Sequence, residues 1–133
     1  MKKLVILVSM FVSGCYLANG SPPSSNYWVK EGNKINYRDS KECYIKSRNK
    51  ILNEVNEDRF NYLEEKYNKD PIDMIKNHKK EYSEYLIILN KISELNRECF
   101  YNLGYRFRAP LYWCLAQDGD NSRICLENMK YKN

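Results

Sequence analysis

The segment KYNKDPIDMIK, residues 66–76, decides the fold. Asp70 suits a helix N-cap, Pro71 the first helical position, and Asp73 the favourable first turn. Pro71 also disfavours helical backbone at the residue before it. One helix therefore ends here and another begins. Upstream, Tyr44, Ile45, Ile51, Leu52, Val55, Phe60, Tyr62, Leu63 and Tyr67 recur largely at threes and fours, which predicts a helix over 40–68. Asp39 or Ser40 can cap its start. Downstream, Ile72, Ile75, Tyr82, Tyr85, Leu86, Leu89, Ile92, Leu95, Cys99 and Leu103 predict a helix over 71–103. Positions 75, 82 and 89, and likewise 85, 92 and 99, step by seven, a pattern suited to packing along a partner helix. Gly104 is a good C′ residue. The expected fold is all-α, an antiparallel helical hairpin.

The cysteines add a geometric argument. Cys43 and Cys99 each lie 28 positions from Pro71. In an antiparallel pair they stand at the same level, at the end that the turn does not hold. If both face inward, a 43–99 disulfide staples that end. The remaining pair, Cys114 and Cys125, would then span the turn Asp118, Gly119, Asp120 and Asn121 and pin the tail. A pairing of 43 with 114 or 125 would overturn the hairpin staple. A zinc site has little support, because the gaps are 56, 15 and 11 positions and the one histidine, His78, is distant in sequence. The tail is expected as a short irregular or helical segment packed on the hairpin. Pro110 breaks any early helix, 111–116 could be a short helix or extended, and 122–129 forms a final short helix. The DGDN run resembles the start of a calcium loop, but Ser122 and Glu127 do not complete one.

The chain starts MKKLVILVSMFVSGC. A basic head, a short apolar body and a small-residue exit form the pattern of an export signal. The apolar run is about half the ~20 residues of a membrane span. A cysteine after small residues resembles the lipobox of bacterial lipoprotein precursors. That resemblance implies a signal peptide over 1–14, cleavage before Cys15, and diacylglycerol and an acyl group on that residue. Several chains anchor stably where one does not. The rival readings are a plain cleaved signal or a buried N-terminal helix. In that family an Asp after the cysteine favours the inner membrane; here Tyr16 points to the outer one. Residues 15–26 form a lipidated tether rich in Ser, Gly, Asn and Pro, and 27–133 a single small helical domain.

Charge and chemistry narrow the function. The formal charge is +5. Removal of Lys2 and Lys3 with the signal leaves +3, too mild to argue a nucleic-acid partner. An even set of four cysteines in an exported chain suggests two disulfides. His78 has no nucleophile in a motif beside it, and Glu64, Glu65, Glu81, Glu84, Glu94 and Glu98 read as solvating helix charges. No Gly-rich phosphate loop is present. The expectation is a non-enzyme without cofactor or metal.

The strongest site candidate is 100–113. There Tyr105, Arg106, Arg108 and Trp113, with Phe100, Tyr101, Phe107 and Tyr112, combine the aromatics and arginines favoured at interface centres. The competing reading folds these rings back over the open end of the hairpin, because two helices alone leave an apolar stripe bare. Trp28 carries the same choice between a core lid and an exposed binding aromatic.

Trp28, Lys30 and Gly32, then Asp39 and Cys43, then Cys99, Gly104, Tyr105 and Arg106 together resemble a pattern in small Gram-negative lipoproteins: WxKxG, DxxxC, and a cysteine followed later by Gly-Tyr-Arg. The chain departs at CFYNL, which lacks a methionine beside the cysteine. Most of that family has no assigned activity, so the resemblance implies compartment and disulfides more than function. The leading expectation is a lipid-anchored outer-membrane protein facing the periplasm or the cell surface. It would bind another envelope protein as an accessory or assembly factor, in the manner of a pilotin-like chaperone. The alternative is an immunity or inhibitor lipoprotein that neutralises a toxin or hydrolase. A ligand carrier or peptidoglycan-contact protein is a weaker third class. The sequence leaves the oligomeric state open.

Overall fold

A computed structural model describes residues 20–133. The export signal and Cys15 lie outside the described residues. A 3-10 turn, Ser24–Tyr27, leads into strand β1 (Trp28–Lys30), which pairs antiparallel with β2 (Asn33–Lys34). Glu31 and Gly32 make the turn, both with positive φ (50° and 78°). Two central residues in that conformation twist a two-residue hairpin correctly, and glycine adopts it at no steric cost.

Helix α1 (Tyr37–Glu54) starts earlier than expected because Asn36, not Asp39 or Ser40, is the cap. Its side chain accepts from the Asp39 N–H at 2.8 Å. The expected helix over 40–68 is in fact two. Val55 and Asn56 are extended, and Asn56 caps α2 (Glu57–Lys69) by accepting from the Arg59 N–H at 2.9 Å. Glu57 and Asp58 then suit the positive end of the new helix. At the turn, Asp70 accepts from the Asp73 N–H at 2.9 Å and Pro71 opens α3 (Pro71–Asn77), as the sequence predicts.

The second long helix is also divided. His78, at φ −124° and ψ 47°, separates α3 from α4 (Lys79–Asn102). This break interrupts one heptad row. Ile75 in α3 is exposed, while Tyr85 and Ile92 of the other row are buried in α4. Helix α4 ends as Gly104 predicts, with φ 93° there. The Gly104 N–H donates to Tyr101 O at 2.9 Å and the Tyr105 N–H to Phe100 O at 3.0 Å, the paired bonds of a Schellman stop. Strand β3 (Arg106–Phe107) then adds to the far side of β1, giving sheet order β2-β1-β3. Short helices α5 (Leu111–Cys114) and α6 (Asn121–Asn128) and a last 3-10 turn (Met129–Tyr131) complete the tail.

The chain is predominantly helical, and α1 and α2 pack antiparallel along α4 as the expected hairpin. Cys43 is joined to Cys99, with Cα atoms 5.6 Å apart, and Cys114 to Cys125, at 5.8 Å. The core is in two parts. Ile51, Leu52, Phe60, Leu63, Met74, Tyr85, Ile88 and Ile92 fill the hairpin toward its turn. Trp28, Cys43, Phe100, Tyr105, Phe107, Trp113 and Tyr131 fill the stapled end. Several stripe residues, among them Tyr44, Ile45, Tyr62 and Ile72, remain exposed.

Charges tie α2 to α4 beside the first core. Arg59 donates to both carboxylate oxygens of Glu84, at 3.1 and 2.7 Å, and lies 3.7 Å from Glu81, which also pairs with Lys66. The Arg59 hydrogen bond holds the Glu84 carboxyl below its ordinary range, and the Lys66 hydrogen bond does the same for Glu81. A lowered folded-state value stabilises the fold above the unfolded value and loses that effect as pH falls through the folded one. Arg59→Met should therefore cost a small amount of stability at neutral pH, as for other surface pairs. The difference from the parent should shrink toward nothing as acid titrates Glu84, starting below about pH 4.3. Urea unfolding of both proteins across the acid range measures it; a difference that stays constant with pH would remove the pair from the account.

Candidate functional site at the stapled end

The residues singled out in the sequence converge on one end of the molecule. Trp28 is 2% exposed, and its ring centroid lies 5.3 Å from Phe100, 5.6 Å from Phe107 and 5.5 Å from Tyr131. Trp113 is 1% exposed, packs against Tyr27 at 4.8 Å, and donates its indole N–H to Pro22 O at 2.7 Å. Tyr105 is buried too. Its hydroxyl donates to Asp39 Oδ2 at 2.6 Å and accepts from Asn36 Nδ2 at 3.2 Å. The neighbouring Asp39 carboxylate pushes the phenol upward in pKa. These three aromatics are therefore core, and they offer almost no surface to a partner.

The arginines differ. The Arg106 guanidinium lies 4.1 Å above the Tyr101 ring and donates to Tyr101 O and Tyr105 O at 3.2 and 2.9 Å, so it braces the chain leaving α4. Arg108 is exposed, while its backbone N–H is fixed to Tyr27 O at 2.8 Å. Of the five residues proposed for binding, Arg108 alone presents its side chain freely to solvent.

The same motif residues have clear structural tasks. Lys30 extends to the end of α4 and donates to Leu103 O at 2.8 Å, a cation on an unsatisfied helix terminus. It passes so close to Gly104 that an added Cβ there would lie 3.3 Å from Lys30 Cε. Gly32 makes the strand turn. Tyr105 ties the end of α4 to the start of α1 through Asp39, four residues before the disulfide at Cys43.

Two surface features were not read from the sequence. The first is the path of residues 20–26, whose composition reads as a tether. Instead, Ser21 donates to Asp118 from both its N–H and its hydroxyl, the latter at 2.8 Å, and Pro22 accepts from Trp113. Ser21 thereby holds the Asp118 carboxyl below its ordinary range. Asp120 is engaged by Arg123 at 3.0 Å. The acidic residues of the DGDN run thus serve as local anchors. The second feature is an apolar groove of about 510 Å³ over the 114–125 disulfide, lined by Ala109, Leu111, Leu115, Leu126, Met129 and Lys132 among others. Leu111 and Leu115 are four apart and Leu126 and Met129 three apart, a helical spacing visible in the sequence.

A smaller cleft of about 280 Å³ lies beside Trp28 and Phe100 and is polar, with Ser25, Asn96, Arg97 and Glu127 in its walls. Arg97 is already used there, at 2.9 Å from Ser93 Oγ and 3.5 Å from Glu127. His78 sits at the far end of the hairpin, between Asp73 at 3.3 Å and Glu81 at 3.6 Å. Among the described residues, no group of three or more His, Cys, Asp or Glu side chains is placed to hold a metal ion. Nor is any described helix long and apolar enough to cross a membrane. No known protein family, curated protein or solved structure matches the chain.

Proposed function

We propose that this is a lipid-anchored envelope protein, held at the outer membrane through Cys15, that binds another protein as an accessory or assembly factor and catalyses no reaction. The observation that carries this reading is the use of the cysteines. All four among the described residues are consumed in two disulfides. Such bonds persist in oxidising compartments such as the periplasm. The fifth cysteine, Cys15, stands at the end of the export signal, where a lipid is attached.

The partner-binding element of the reading draws on the other end of the hairpin. Helix α3 leaves Ile72 58% and Ile75 38% exposed, three residues apart and so on neighbouring positions of one face. Tyr62 of α2 is also exposed near the turn. Large apolar side chains set among Lys, Glu and Asp suit a protein contact.

The test is recovery of the full, lipidated chain from solubilised membranes beside its Ile72→Asp/Ile75→Asp variant. Both positions are exposed, so the variant should fold. The parent should retain a stoichiometric envelope-assembly component that the variant loses. A co-purifying toxin or hydrolase would shift the function to immunity, and a parent that retains no stoichiometric partner would sink the binding role.

A further inference from the structure

We infer that the exposed apolar face of the tail, formed by Leu111, Leu115, Leu126 and Met129, rests in the membrane interface into which Cys15 is anchored. This rests on the lipid-anchor reading and extends it from an attachment point to an orientation.

The four side chains are each between 64% and 72% exposed. Leu111 lies in α5 and Leu126 in α6, Leu115 and Met129 directly follow the ends of those helices, and the Cys114–Cys125 bond holds the two together. Ser122 reinforces that pair by donating to Cys114 O at 2.7 Å. The face is therefore a rigid platform, and leaving it in water is unfavourable by the ordinary cost of exposed apolar surface.

The occupant follows from where the chain enters the fold. Ser21 is bound to Asp118, in the loop between α5 and α6, and Pro22 is bound to Trp113 of α5. The first residue described, Gly20, lies at the same loop, since an added Cβ there would be 3.8 Å from Asp118 Oδ2. From Cys15 to Gly20 the backbone can span no more than about 18 Å, at ~3.6 Å per residue. A lipid-bearing Cys15 thus brings the α5–α6 loop, and with it the apolar platform, to the bilayer surface. Interfacial apolar faces bury themselves by ~5–10 Å at the headgroup–acyl boundary. Lys132 lines the same groove and Arg108 stands exposed just before Ala109, both suited to phosphate head groups.

Met129 provides the probe. The lipidated full chain is placed in vesicles of phosphatidylethanolamine with a minority of phosphatidylglycerol and exposed to hydroxyl radicals. The Cys15→Ser chain in buffer is the lipid-free reference. Oxidation of Met129 should fall severalfold in vesicles, while Tyr62, at the other end, keeps its rate. The Leu115→Glu/Leu126→Glu variant should restore the Met129 rate without loss of lipidation or vesicle flotation. Equal oxidation of Met129 in vesicles and buffer, on a chain whose intact mass carries the acyl groups, would overturn this inference and leave the lipid anchor standing. A chain that lacks acyl mass would overturn both. Protection that arises in buffer and grows with protein concentration would make the occupant a second copy and overturn the membrane contact.

Discussion

Replacing Cys43 and Cys99 together by alanine should lower the unfolding free energy by about 4 kcal/mol, while the same change at Cys114 and Cys125 should lower it by about 3. The ordering follows from the loops that the two bonds close, with sequence separations of 56 and 11. A longer closed loop removes more conformational freedom from the unfolded chain. Location acts in the same direction. Cys43 is fully buried in the second core, where α1 meets the end of α4. The 114–125 pair instead fixes two short helices on the surface. Urea unfolding of the two double variants measures both numbers. A larger loss from the tail pair would contradict the view that the hairpin staple is the main covalent constraint on the body.

Trp28→Ala should cost about 3–5 kcal/mol, the usual penalty for emptying a large buried aromatic site. Trp28 touches three rings and joins elements that are far apart in sequence. Its strand pairs with β3 on one side, and its carbonyl accepts from the Ile35 N–H at 2.8 Å on the other. Trp28→Phe keeps part of the packing and should cost clearly less. Phe60→Ala empties the other core and belongs in the same range, but by a separate route. Because the two clusters have no buried member in common, the Trp28 and Phe60 losses should be close to additive in the double variant. Guanidinium unfolding of the parent, the three single variants and the double variant gives the comparison. A Trp28→Ala loss near that of a surface substitution would mean that this ring is not the centre of the stapled end.

The turn, the staple and the helix stop were legible because each depends on local chemistry with a specific residue. Asp70 and Pro71 set a boundary, Gly104 ends a helix, and the equal distances of Cys43 and Cys99 from the turn place them side by side. The breaks at Val55 and His78 were not legible, because the apolar spacing continues across both. Asn56 followed by Glu57 and Asp58 does form a cap pattern, but it lies inside a stripe that reads as continuous. His78 caps with no side-chain hydrogen bond. The strands are only two or three residues long, too short to show alternation.

At the candidate site, residue type and residue position gave different answers. Trp28, Tyr105 and Trp113 have the chemistry of interface anchors, yet the hairpin's open end needs them as core. The tether reading of 20–26 came from composition, which says nothing of the partners Asp118 and Trp113 some 90 positions away or more. The apolar face around α5 and α6 shows in the sequence only as two isolated pairs, Leu111 with Leu115 and Leu126 with Met129, because helices of four and eight residues give too few repeats for a period to mark a face.

One measurement addresses both the proposed lipid on Cys15 and the disulfide-closed body. The protein is solubilised from membranes and its intact mass is determined without reduction. The predicted species begins at Cys15, carries the mass of a diacylglycerol and an amide-linked acyl chain, and lacks the four hydrogens removed by two disulfides. A species without acyl mass, or one with free thiols at Cys43 and Cys99, would contradict it.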